Sequence, residues 1–212
     1  MITSKVLDKR FEFPFIVKTP KEMKENLPLI IQLHGAGERG DGSNLEAVEI
    51  HGFSNVITDD REVACVLVEP RCPADSFWAA QVPFIKDFIL KIIEEYRCDR
   101  NRIYLTGLSM GGYGTWFTAM AYPDMFAAIA PCCGGGMPWN AGVLTMPVWA
   151  FHGGKDDVVF PYETENMIRG MRNAGLDPKL TIFPEYGHNS WEKAFSEELL
   201  EWLLAQKRPE NQ

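Results

Sequence analysis

Arg102-Ile103-Tyr104-Leu105-Thr106-Gly107-Leu108-Ser109-Met110-Gly111-Gly112 holds the decisive pattern of this chain. An apolar, β-rich run ends at Gly107 and a helical pattern begins at Gly112, so a strand turns sharply into a helix with a serine at the turn. Gly-x-Ser-x-Gly in that context is the nucleophile-elbow pattern. The serine is forced into a strained φ/ψ that pushes its hydroxyl clear of the sheet, and the flanking glycines let neighbouring backbone pass close by. Composition alone would produce roughly 0.05 such matches in a chain of this length.

Working outward, extended apolar runs alternate with helical stripes. Strands are expected at 11–18, 29–33, 63–69, 102–106, 127–130, 148–151 and 179–183, and helices at 82–96, 112–122, 162–171 and 191–204. Pro14 places the first strand at or near a sheet edge. The alternation predicts βα units, a mostly parallel sheet of about eight strands with helices on both faces, and a single α/β domain over 1–212. Small and polar residues gather at the strand ends (His34-Gly35, Gly107, His152-Gly153, Pro184 onward), where an open parallel sheet forms its ligand crevice.

Composition narrows the function. The 212 residues carry 21 Lys+Arg against 29 Asp+Glu, a formal charge of −8, which argues against nucleic acid as partner. Hydrophobic residues make up 46%, an ordinary globular share. No apolar run reaches membrane-spanning length, so no membrane partner is expected. Charges at Lys5, Asp8, Lys9 and Arg10 interrupt any signal-peptide stretch, so a cytoplasmic location is expected. The five cysteines (65, 72, 98, 132, 133) are odd in number and contain no Cys-x-x-Cys, so they are expected as small buried side chains rather than disulfides or a zinc site. With no metal-ligand cluster and no dinucleotide fingerprint, neither a metal nor a cofactor is expected.

A serine elbow needs a base and an acid, in the chain order Ser, acid, His. Of His34, His51, His152 and His188, only the last lies in a loop beyond the last strand, where it can swing to Ser109; His152 falls within or at the end of a strand. Among the acids between them, Asp124 follows Pro123 and reads as a helix cap, Glu163 and Glu165 fall in a helix, and Asp177 precedes a strand. Asp156 and Asp157 sit just past the strand at 148–151; Asp156 is preferred, with Asp157 and then Glu185 as rivals. The oxyanion donors are expected from the Met110 N–H and from the loop His34-Gly35-Ala36-Gly37, with Ala36 ahead of Gly37. The His34 ring is expected to bond the loop backbone.

These segments resemble the α/β-hydrolase superfamily: Leu33-His34-Gly35-Ala36-Gly37-Glu38-Arg39-Gly40, Gly107-Leu108-Ser109-Met110-Gly111-Gly112, His152-Gly153-Gly154-Lys155-Asp156 and Gly187-His188-Asn189-Ser190-Trp191. Within it the chain is similar, from about 11 to 204, to small serine esterases of the predicted-peptidase and phospholipase/carboxylesterase group, relatives of feruloyl esterases, polyhydroxybutyrate depolymerases and dienelactone hydrolases. The resemblance implies that the aspartate of His-Gly-x-x-Asp, here Asp156, is the acid of a triad. It departs from the dienelactone hydrolases in carrying serine rather than cysteine at the elbow.

The expected chemistry is acyl transfer on a small-molecule or glycan-linked ester through Ser109, His188 and Asp156. Oligopeptidase, thioesterase and lysophospholipase action are the alternatives, with a non-catalytic binding module behind them. Arg39 or Lys155 is the candidate cation for a peptide carboxylate. The segment 132–147 is too short for a helical cap, so an open site is expected, with Asp75-Ser76-Phe77-Trp78 as one wall and the loop of Met137, Pro138 and Trp139 as another. Trp78, His34 and Trp139 are the candidate substrate contacts.

Overall fold

The computed structural model describes residues 1–209. Eight strands form one sheet: β1 (Ile2–Val6), β2 (Phe15–Thr19), β3 (Leu27–Leu33), β4 (Val66–Pro70), β5 (Cys98–Leu108), β6 (Ala128–Cys132), β7 (Trp149–Gly153) and β8 (Lys179–Phe183). Their order is β1-β2-β4-β3-β5-β6-β7-β8. β1 pairs with β2, and β2 with β4, antiparallel; every later pairing is parallel. β5 lies centrally, and its carboxyl end delivers Ser109.

The period-2 alternation of the strands sorts the core into two faces. Leu29, Ile31 and Leu33 face one way, with Val66, Val68 and Leu105. They pack on α1 (Val82–Tyr96) through Phe88, Ile89 and Ile92, and on Trp116 of α2 (Met110–Ala121). Met167, Ile168 and Met171 of α3 (Tyr162–Asn173) cover the same face. Ile30, Leu67, Tyr104 and Ala128 face the other way, beneath Leu199, Leu200 and Leu203 of α5 (Glu197–Leu204). Full burial of each such side chain is worth about 1.5–3 kcal/mol, so the sheet is held from both sides.

Several expectations are corrected. β1 lies outside the expected strands, because its Ser4 and Lys5 break the apolar run; as an exposed edge strand it needs no buried face. The second strand starts at Phe15 rather than at 11, since Phe11 and Phe13 precede it as irregular core residues, with Phe13 edge-on to Trp78. The stripe at 191–204 is two helices, α4 (Trp191–Ala194) and α5, broken where Phe195 turns extended and the Ser196 hydroxyl caps α5 by accepting the Leu199 N–H. Asp124 lies in the turn after α2 and caps no helix. Between β6 and β7 the chain forms only the short 3-10 helix Pro138–Val143, so no helical cap stands over the sheet. The five cysteines are buried and free. No described helix is long and apolar enough to cross a membrane.

One buried acid gives the fold a pH signature. Glu69 on β4 is fully enclosed and accepts hydrogen bonds from the Gln32 amide and the Ser54 hydroxyl. Burial pushes its pKa up to about 8. The folded state therefore holds a proton there that the unfolded chain gives up near 4.5, so stability is lost as pH rises from 4.5 through 8. Glu69→Gln should melt closer to, or above, wild type at pH 8 than at pH 5. An identical difference in melting temperature at both values would contradict a raised Glu69.

Candidate active site

Ser109 stands between β5 and α2 with φ 53° and ψ −116°, a region that non-glycine residues rarely occupy. The crowding around it explains the glycines. A Cβ on Gly107 would lie 2.4 Å from the Gly111 carbonyl oxygen, and one on Gly111 would lie 1.9 Å from that of Leu33. Only bare backbone lets the end of β3 press against the first turn of α2. The Ser109 N–H is fixed by the Cys132 carbonyl at 3.0 Å.

The loops after β7 and β8 bring Asp156 and His188 to this serine. His188 Nε2 lies 2.8 Å from Ser109 Oγ, and Nδ1 lies 2.8 Å from Asp156 Oδ2. Nδ1 faces a carboxylate and so donates, which leaves Nε2 as acceptor for the serine proton. Asp156 Oδ1 accepts the N–H groups of Val158 (3.0 Å) and Val159 (2.9 Å). Burial pushes the Asp156 pKa up, but the His188 and backbone hydrogen bonds outweigh it and hold the carboxyl below its usual range. Asp157 is exposed, and Glu185 pairs with Lys155, so neither rival reaches the histidine. Cys133, itself at φ 50°, donates its thiol to the His188 carbonyl (3.4 Å) and meets the Ser190 hydroxyl at 2.8 Å, bracing the histidine loop from behind. Cys133, Asp156 and His188 each offer one potential metal-ligand atom within 4.8 Å of the others. Asp156 Oδ2 and His188 Nδ1 are already hydrogen-bonded to each other, so a cation taking both atoms would have to break that bond.

The loop 35–38 lies against the elbow: a Cβ on Gly35 would come within 3.8 Å of that of Ser109. Ala36 and Gly37 are exposed beside it at the head of a short 3-10 helix. Arg39 ties this loop to the next, donating to the carbonyls of Ala36 (2.9 Å) and Ser76 (3.2 Å).

The expected substrate contacts need correction. Trp78 is wholly buried, with its indole N–H bonded to the His34 carbonyl at 3.0 Å, so it offers no face to a ligand. His34 is also buried; its Nδ1 bonds the Gly35 carbonyl (2.6 Å) and its Nε2 accepts the Cys72 N–H (2.9 Å). Burial lowers its pKa to about 4, so it serves as a neutral clasp between strand ends. Trp139 is 83% exposed but misplaced. The chain from Gly134 runs down between α2 and α3, with Gly136 against Trp116 and Met167 and Pro138 against Gly170, away from the serine end of α2.

Phe77, one residue before Trp78, faces outward instead. It is exposed, and with Ala79, Met110, Tyr113 and Phe117 it lines an apolar pocket of about 450 Å³ beside the elbow. Met110, Tyr113 and Phe117 follow at i, i+3 and i+7, one face of α2, a signal present in the sequence. A larger hollow of about 670 Å³ lies near Arg100 and Asn101, at the opposite end of β5, and holds none of these groups.

A mostly parallel eight-stranded sheet with a serine elbow after β5, an acid after β7 and a histidine after β8 is an α/β-hydrolase. The chain belongs to the dienelactone hydrolase family, whose pattern it matches over residues 76–198. It is 29% identical over 164 residues to the bifunctional acetylxylan esterase/xylanase XynS20E of Neocallimastix patriciarum, covering 74% of this chain and 23% of that protein. It is 28% identical over 129 residues to poly(3-hydroxyalkanoate) depolymerase C of Paucimonas lemoignei, covering 55% and 30%. The chain thus spans less than a third of either relative's length. A thermostable esterase structure superposes with a TM-score of 0.79 at 29% identity, covering 98% of this chain and 63% of that one.

Proposed function

We propose that this chain is a serine carboxylesterase for short-chain or aromatic acyl esters. The observation that carries the reading is the unbroken line from Ser109 Oγ through His188 to Asp156, with both links at 2.8 Å. Ser109 Oγ attacks the ester carbonyl carbon while His188 Nε2 takes its proton. The Met110 N–H and that of Ala36 or Gly37 receive the oxyanion. The intermediate collapses, the C–O bond to the alcohol breaks, and His188 returns the proton to the departing oxygen. Water, deprotonated by the same histidine, attacks the acyl-enzyme and frees the acid and Ser109.

The apolar pocket beside Met110 suits an acyl group without charge, and the engagement of Arg39 and Lys155 disfavours a peptide carboxylate. An acetylxylan esterase among the relatives favours a small acyl group. A fluorophosphonate probe should label the wild type and not Ser109→Ala. On a panel of p-nitrophenyl acyl esters, methyl ferulate and aminoacyl anilides, acyl chains of about two to four carbons or the ferulate should be best, because each further methylene gains only ~0.8 kcal/mol and needs a pocket to bury it. A preference for anilides, or for long-chain emulsified esters, would overturn the reading.

Phe77→Ala should raise KM for the preferred ester roughly 3- to 10-fold with kcat nearly kept, the mark of lost uniform binding. An unchanged KM would remove this pocket from the substrate's path.

A further inference from the structure

We infer that His152 is a positioning residue for Asp156: its Nε2–H shares the carboxylate oxygen that receives His188 and so sets the pH at which the site switches off. The inference rests on the reading of Ser109, His188 and Asp156 as the catalytic relay. His152 lies near the end of β7 and is fully buried. Its Nε2 is 2.8 Å from the Val159 carbonyl and 3.2 Å from Asp156 Oδ2. Both partners only accept, so Nε2 carries a hydrogen whether the ring is neutral or charged.

Nδ1 is 2.7 Å from Thr164 Oγ1 on α3, which is itself 2.7 Å from the Gly134 carbonyl. The threonine has one hydrogen to give. Given to Gly134, it leaves Nδ1 as a second donor and the ring is an imidazolium; given to Nδ1, the ring is neutral and Gly134 loses its donor. Loss of the Nδ1 proton together with rotation of one hydroxyl separates the two states, and the Nε2–H toward Asp156 is present in both.

Four N–H groups therefore face Asp156: Val158 and Val159 hydrogen-bond Oδ1, His188 hydrogen-bonds Oδ2, and His152 Nε2, hydrogen-bonded to the Val159 carbonyl, makes a 3.2 Å charge contact with Oδ2. Val159 closes a ring by giving its N–H to Asp156 and its carbonyl to His152. Two imidazoles on one oxygen divide its charge, so the carboxylate stabilises the protonated form of His188 less than it would alone. The other titratable groups around the pair are Cys132 and Cys133 from the end of β6, Tyr113 from α2 and Glu163 from α3; Glu163 faces Tyr113 and Gly135. Among the described residues, only His152 shares Oδ2 with His188. Burial draws His152 toward neutrality, and the Val159 carbonyl and Asp156 oppose it.

The test compares two variants. His152→Phe fills the ring volume without a donor, and His152→Gln keeps a donor near the Nε2 position. The acid limb of the kcat/KM profile should move up by about half to one pH unit in the Phe variant and stay near wild type in the Gln variant. A role in packing alone would lower the plateau in both and move neither limb. Should the Phe variant fail to fold, the wild type decides by proton NMR. The downfield His152 Nε2–H resonance, assigned by its loss in His152→Gln, should shift in step with the titration of His188. An unmoved limb in a folded Phe variant, or a His152 resonance indifferent to that titration, overturns the inference. The NMR arm needs no turnover, so it still reads the shared oxygen if Ser109 proves not to be the nucleophile.

Discussion

Ser109→Ala is expected to lower kcat on the best ester by roughly four to six orders of magnitude, leaving what binding and the oxyanion donors supply. No other described hydroxyl is bonded to His188 Nε2, so no second hydroxyl stands in for that of Ser109. The fold should survive, because alanine keeps the Cβ that the elbow already accommodates, and the Ser109 N–H bond to Cys132 is untouched. Glycine at the same position should even stabilise the protein slightly, since φ 53° costs it little. Steady-state kinetics beside thermal melts separate the two effects. A Ser109→Ala protein retaining more than a tenth of wild-type turnover would move the nucleophile elsewhere.

Asp156→Asn is expected to cost roughly 10⁴-fold in kcat. The amide side chain can still accept the Val158 and Val159 N–H groups through its carbonyl oxygen, which turns its NH2 toward His188 Nδ1 and His152 Nε2. A donor facing His188 Nδ1 forces the ring's proton onto Nε2, and a protonated Nε2 cannot take the Ser109 hydrogen. Asp157→Asn, one residue on and exposed, should change kcat less than about twofold, as surface changes away from the chemistry do. Measured side by side on one ester, the reverse ranking would transfer the acid to Asp157.

The legible parts of this protein share one property: their physics is local. The stripe at 82–96 is α1 residue for residue, and 179–183 is β8, because burial on one face repeats at a fixed period that the residues themselves carry. The elbow was readable because Gly107, Ser109 and Gly111 must satisfy backbone crowding within five residues. The approach of His188 and Asp156 to Ser109 is legible because strand ends in a parallel sheet collect on one edge, so chain order stands in for distance.

Tertiary structure decided what depends on which neighbour arrives. Trp78 and Phe77 are adjacent aromatics, and nothing in their own chemistry says which is buried. The His34 carbonyl claims the Trp78 indole and leaves Phe77 to the pocket. Trp139 is exposed and aromatic enough to read as a wall, but the packing of Gly136 and Pro138 along α2 and α3 carries it away. His152 was readable only as part of a strand, since its contact with Asp156 requires the chain after β7 to fold back through Val158 and Val159. Periodicity and turn chemistry act within a few residues and can be read in order. The partner of a buried indole or imidazole is chosen across the fold, by whichever acceptor the packing leaves within hydrogen-bond reach.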